Sequence, residues 1–314
     1  MNIKLYFATS PEHWLTNDAV TDVFKQLFSK LQVNYPQHTF TKKCSNQHSY
    51  ENGITHNHFP TRKFGFYQCI VENTDNGKYI LLNYFDTLTS LHENNGWDLH
   101  NLVEIITTPG VHLNNMTFED SHMDYTPSTY IYHSTGQTDR LMSAKPQPKT
   151  IKHLSFRGKT YLFRKYLETD SRYEIIDTSI GKNGIGNDAF LNEIASQRIS
   201  LSLNGTAEIT YRDLESFALY SPVLRPILTC QFHNKLKPDY HYIGVNLDEI
   251  KYKWGLEYYS AKADLIYKRY LEVKDDEDYL EFVSNNARKW FLENGTVDTN
   301  TDILYRNLKL DKLI

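Results

Sequence analysis

Cysteine is scarce in this chain. Only Cys44, Cys69 and Cys230 occur, an odd number without metal-ligand spacing. That excludes a disulfide-stapled scaffold and a zinc-ribbon type of centre, and points to free thiols in a reducing compartment. Long apolar runs are missing as well: none approaches the roughly 18 residues that a membrane-spanning helix requires. The opening stretch MNIKLYFATSPEHW has one lysine followed by strand-like residues and lacks the longer apolar core of a signal peptide, so a cytoplasmic location is expected. Basic charge is not in excess. Lys and Arg number 34 against 38 Asp and Glu, a net charge of −4, which leaves no electrostatic footprint for nucleic acid.

What the chain does contain is aromatic. It has 23 tyrosines and 16 phenylalanines, numbers that suit either sugar-stacking surfaces or dense core packing. Its 314 residues suffice for two domains, each with its own core, and 40% hydrophobic with 23% charged residues is the composition of a soluble globular protein. Sequons at Asn115, Asn204 and Asn294 are expected to be fortuitous without a secretory route.

Periodicity orders the chain into a succession of elements. Residues 2–9 read as an opening strand, and residues 17–32 as a helix with Val20, Val23, Phe24, Leu27 and Leu31 inward. Residues 35–61 are polar, His-rich and read as irregular. A hairpin follows, with strands at 64–72 and 78–85 joined by a turn holding Asn73, Asp75, Asn76 and Gly77. A short helix is expected at 87–93, and strands at 103–107 and 128–132. Residues 137–149, with two prolines and no apolar period, read as a linker. Beyond it strands (151–156, 173–177, 199–203, 223–228) alternate with helices (160–169, 188–195, 211–219), the pattern of a doubly wound parallel α/β sheet. A helix at 278–293, ended by Gly295, follows.

Residues 198–248 carry the strongest functional signal. An apolar strand runs into Asn204, Gly205 and Thr206, then a polar stretch and a helix that begins near Arg212. Such a strand, glycine turn and helix present backbone N–H groups and a positive helix end to an anion, and an arginine adds paired donors. With the segment Phe156, Arg157, Gly158, the following Arg164, the loop from Lys237 to Val245 and the helix sequence SNNARKWFLEN, this set resembles the nucleotide-sugar half of the Rumi-like protein O-glucosyltransferases and the KDEL-motif enzymes of glycosyltransferase family 90. The resemblance covers roughly residues 150 to 295. The spacing from Gly205 to Arg212 is one residue longer than in the animal enzymes, a serine before that arginine is missing, the first half aligns poorly, and no KDEL tetrapeptide is present.

The resemblance implies two Rossmann-like domains facing a cleft (the GT-B arrangement) and metal-independent, inverting transfer from a UDP-sugar, xylose or glucose, to a hydroxyl of a glycan or glycolipid. Residues 1–145 would bind the acceptor and supply the base, 146–295 would bind the donor, and the tail 296–314 would pack across both. Arg157, Gly158 and Arg164 are expected at the pyrophosphate, with Asn204, Gly205, Glu208, Arg212 and Glu215 around the nucleotide and Tyr242 near the base; Arg212 would stabilise the leaving group. The surface alternatives are salt bridging for the arginines, an exposed helix start for Glu208 and a core position for Tyr242. Inversion needs a base opposite the leaving group. Asp86, at the end of an apolar strand, is the first choice, against a plain helix cap, with Asp120 and Asp124 behind it. No metal or cofactor is expected beyond the sugar nucleotide as co-substrate. Alternatives are an inactive nucleotide- or sugar-binding module, or a GDP-sugar donor such as GDP-fucose. His56, Asn57 and His58 resemble an HNH nuclease fragment without its other elements, and the acidic run from Asp275 to Asp278 precedes a helix and reads as a cap.

Overall fold

The computed structural model describes residues 1–8, 18–45, 48–51, 54–59, 62–65, 68–83, 101–107, 138–178, 183–204, 209–228, 234–251 and 255–314. It is a mixed α/β structure, with eight α-helices and several small sheets among those residues.

The first half holds β1 (Asn2–Ala8), α1 (Asp18–Asn34), β2 (Thr39–Ser45), β3 (His48–Glu51), β4 (Ile54–Phe59), β5 (Arg62–Gly65), β6 (Gln68–Asn73), β7 (Tyr79–Asn83) and β8 (Leu102–Thr107). Five of these strands form one sheet in the order β2-β1-β6-β7-β8. Alternation puts Ile3, Leu5 and Phe7 of β1 on one face, against Val23, Phe24, Leu27, Phe28 and Leu31 of α1. This sheet is mixed rather than all-parallel. The hairpin turn between β6 and β7 forces them antiparallel, and β6 also runs antiparallel to β1, whereas β1–β2 and β7–β8 are parallel. The stretch 35–61, read as irregular, instead forms β2 and most of a three-stranded antiparallel meander, β3-β4-β5. Its strands are rich in Thr, Asn, His and Lys, so they show little apolar alternation.

The second half begins with α2 (Thr138–Met142), a helical turn inside the stretch read as a linker. It is anchored: Leu141 is buried, and the Arg288 guanidinium donates to the Leu141, Met142 and Ala218 carbonyls. Then come β9 (Ser155–Gly158), α3 (Phe163–Leu167), β10 (Glu174–Asp177), α4 (Asn187–Ser196), β11 (Ser200–Leu201), α5 (Tyr211–Ala218), β12 (Val223–Pro226), β13 (Ile243–Val245), α6 (Leu256–Val273), α7 (Glu277–Asn294) and α8 (Val297–Asn307). All pairings are parallel: β10 with β9, and β11 with β12 with β13. A parallel bridge between Ile151 and Gln197, and a bond from Gln197 Nε2 to Ser155 Oγ at 2.8 Å, tie the two groups. The strands thus form two small parallel sheets, β10-β9 and β11-β12-β13, held side by side at that bridge. Side chains alternate between two cores. Leu154, Phe156, Leu201, Leu224 and Ile243 meet α3 and α6, while Val223 and Tyr242 meet α4, α5 and α7 on the other face. Helices therefore pack on both faces of these short parallel strands.

The last helix returns to the first half. Leu304, Leu308, Leu310 and Leu313 join the core of β1 and α1, while Ile303 lies in the core of α5 and α7. Lys30 pairs with Asp302, and Lys312 with Glu104 at 3.1 Å.

Candidate anion-binding site

In an open parallel sheet, neighbouring strands whose following helices lie on opposite faces leave a crevice at their carboxyl ends. Here those strands are β9, followed by α3 on one face, and β11, followed by α5 on the other. The sequence places an arginine beside each: Arg164 in α3 and Arg212 in α5.

Both guanidiniums are held in place from below. Their central carbons lie over the ring of Phe156, 4.7 Å from its centroid for Arg164 and 4.5 Å for Arg212. Gly158 lets that ring fold back, because a Cβ there would stand 2.9 Å from two of its carbons. Arg164 donates to the Leu203 carbonyl at the end of β11 (2.6 Å) and to the Lys159 carbonyl (3.1 Å). Arg212 donates to the Arg157 carbonyl at the end of β9. Each arginine therefore ties one side of the crevice to the other.

Neither guanidinium is satisfied. Arg164 is 9% exposed and Arg212 7%, yet Nε of Arg164 and Nη1 of Arg212 are buried without an acceptor among the described residues. Burial pushes the Arg212 guanidinium down to about 10 and holds Arg164 below its usual range. Glu215, one turn along α5, is pushed up to about 7 by burial, with Arg212 opposing the shift, so it carries only part of a charge near neutrality. Orphaned donors on buried cations are costly unless an anion completes them.

The neighbouring charges are already paired. Arg157 lies on β9, not near the start of a helix, and its guanidinium is taken by Glu193 (2.8 Å) and the Asn183 carbonyl (2.9 Å). It shapes the crevice through its carbonyl. Arg225 on β12 forms a fully buried pair with Asp213 at 2.7 Å and donates to Asn204 Oδ1 at 3.3 Å. Asp213 also accepts from the Thr210 backbone N–H at 2.7 Å, capping α5. Sequence reasoning missed Phe156 as a support, Asp213, Arg225, and Lys262 on α6. Arg225 and Lys262 offered a signal only as charges in otherwise apolar or aromatic stretches.

Tyr242 is in the core. Its ring is fully buried and its hydroxyl accepts from the Leu228 N–H at 3.1 Å, which leaves no face for a base to stack on. The adjacent His241 is nearly as buried; its Nδ1 accepts from the Lys237 N–H, and burial pushes it down to about 4, so it is neutral. Asp86, Asp120, Asp124, Gly205 and Glu208 lie outside the described residues, as do the expected elements at 87–93 and 128–132. Asp276 caps α7, accepting from the Tyr279 N–H at 3.0 Å. No cluster of three or more His, Cys, Asp or Glu arranged to hold a metal occurs among the described residues. No helix among them is long and apolar enough to cross a membrane.

No protein-family model matches the chain, and no curated protein sequence matches it.

Proposed function

We propose that this chain is an inverting glycosyltransferase that takes a sugar from a UDP-sugar. The observation that carries the proposal is the pair of buried guanidiniums, Arg164 and Arg212, with free N–H groups at the crevice between the carboxyl ends of β9 and β11. Such a crevice favours nucleotides, and fixed guanidinium donors favour diphosphate oxygens. The same donors stabilise the negative charge that grows on a departing nucleoside diphosphate. Glu215, beside them, is the candidate for the ribose hydroxyls, and Gly158 keeps the Phe156 support in place.

In this reading the chain has the two-domain GT-B arrangement. Residues 146–295 hold the donor, residues 1–145 hold a glycan or glycolipid acceptor, and the tail 296–314 bridges them. Asp86 removes the proton from the acceptor hydroxyl as that oxygen attacks the anomeric carbon, with Asp120 and Asp124 as the other candidates. The transfer needs no metal and takes place in the cytoplasm; xylose and glucose are the favoured sugars.

The test is calorimetric binding of UDP, GDP, CMP and ADP, with and without a chelator, followed by donor hydrolysis. UDP binding that survives chelation, lost by roughly 10-fold or more in Arg212→Ala while the circular dichroism spectrum is kept, supports the proposal. A preference for GDP replaces the donor. Binding of UDP without transfer or hydrolysis makes the chain an inactive nucleotide-binding module. Unchanged binding and turnover in Arg212→Ala refute the site.

A further inference from the structure

Lys262 projects from α6 into the region of Arg164 and Arg225. The residue as a whole is 8% exposed. Its contacts are aromatic: Nζ lies over the Phe163 ring at 4.4 Å and the Tyr258 ring at 5.9 Å from their centroids. The charged groups that face it are Arg164 from α3 and Arg225 from β12, both cations, and the phenol of Tyr258 from its own helix. The Arg225 charge is met directly by Asp213, whereas Arg164 feels Asp213 only at longer range and its hydrogen bonds go to carbonyls. A third buried cation beside these two raises the energy of the empty protein. Ring contacts offset this only in part, because a cation–π contact is weaker than the cost of taking an ammonium out of water.

We propose that Lys262 is a specificity-determining residue of this site, binding the second phosphate of a diphosphate whose first phosphate is held by Arg212 and Arg164. The inference rests on the anion-binding reading of the crevice and deepens it: the site selects diphosphates over monophosphates. It also has a protonic signature. Burial, then Arg225 and Arg164, push the ammonium down to about 8. A phosphate group beside it reverses that shift, so binding above this pH draws a proton onto Nζ. At pH 8.5 a large part of the free amine is neutral, so binding is expected to take up a measurable fraction of a proton.

The experiment is titration calorimetry of the whole chain with UDP, UMP, inorganic pyrophosphate and inorganic phosphate. UDP at pH 8.5 is measured in two buffers of different ionisation enthalpy to count protons. Wild type is compared with Lys262→Met, which keeps the stem packed on Phe163, and Lys262→Arg, which keeps a charge that does not titrate. The expected result is a loss of UDP and pyrophosphate affinity in Lys262→Met of roughly 10- to 100-fold, with UMP and phosphate changed by less than about 3-fold. Lys262→Arg is expected to retain most UDP affinity but to lose the proton uptake. Equal losses for UDP and UMP, or no loss for either, overturn the assignment even if wild type binds UDP well. If pyrophosphate binds in a Lys262-dependent way but no nucleotide binds better than pyrophosphate, Lys262 stands and the nucleotide reading falls. If wild type binds neither pyrophosphate nor UDP, both fall.

Discussion

The Asp213–Arg225 pair offers the sharpest test of how the site is built. Both side chains are almost completely excluded from solvent, 0% and 1% exposed, and meet at 2.7 Å. Asp213→Asn keeps the shape and retains an oxygen to accept from the Thr210 N–H that now reaches Oδ2 at 2.7 Å, so it removes charge and little else. What remains is a buried guanidinium without its counter-ion. Breaking such a pair from one side costs about 3–5 kcal/mol, because the desolvation of the surviving charge is no longer offset. At about 2–4 °C per kcal/mol for a unit of this size, the melting temperature falls by roughly 10 °C. Replacing the pair together, as Asp213→Asn with Arg225→Met, removes both desolvation terms and is expected to recover at least about 2 kcal/mol of the single-variant loss. Urea and thermal unfolding followed by far-ultraviolet circular dichroism measure Asp213→Asn, Arg225→Met and the double variant. A single-variant cost below about 1 kcal/mol, or losses that simply add in the double variant, would refute the reasoning. The first outcome means that water reaches the pair, the second that the two charges do not depend on one another.

Other predictions follow from the same residues. The folded protein holds the Glu215 proton more tightly than the unfolded chain, so stability falls as pH rises from about 4.5 to about 7 and is flat above that. Glu215→Gln removes that fall; its stability relative to wild type is expected to improve by about 3 kcal/mol between pH 4 and pH 8, and an equal difference at the two pH values counts against it. Gly158→Ala sets a Cβ 2.9 Å from the Phe156 ring carbons. It is expected to cost about 1–3 kcal/mol in a melt and to weaken nucleotide binding by displacing the support of both arginines; full binding would show that the ring is not that support.

Part of this arrangement was readable before the fold. The alternating elements from 151 to 228 announced themselves because strands of four to six apolar residues and helices of period 3.6 give separate signals. Arg164 and Arg212 could be picked out because each follows a strand end at a helix start. The helix α6 escaped notice because its buried face mixes Lys262, Ala263, Ile266 and Tyr270, and its exposed side also carries apolar residues such as Leu256 and Leu271. The strands between 39 and 65 escaped because their polar residues show no alternation. Arg225 gave only the sign of one charge in an apolar strand, which has no period, and its partner Asp213 lies twelve residues away on α5.

The sequence by itself determined the order of the elements from 151 to 228, their parallel character, the hairpin that makes the first sheet mixed, and that Arg164 and Arg212 stand at helix starts. These depend on local periodicity and turn chemistry, which act within a few residues. Only the tertiary structure decided which of the candidate arginines keep free donors. Arg157 is consumed by Glu193 on α4, whereas Arg164 and Arg212 cross between β9 and β11 with one N–H each left over. That partition depends on which carbonyls and carboxylates the packed layers bring within about 3 Å, and hydrogen bonding at that range is set by the fold rather than by neighbours in the chain.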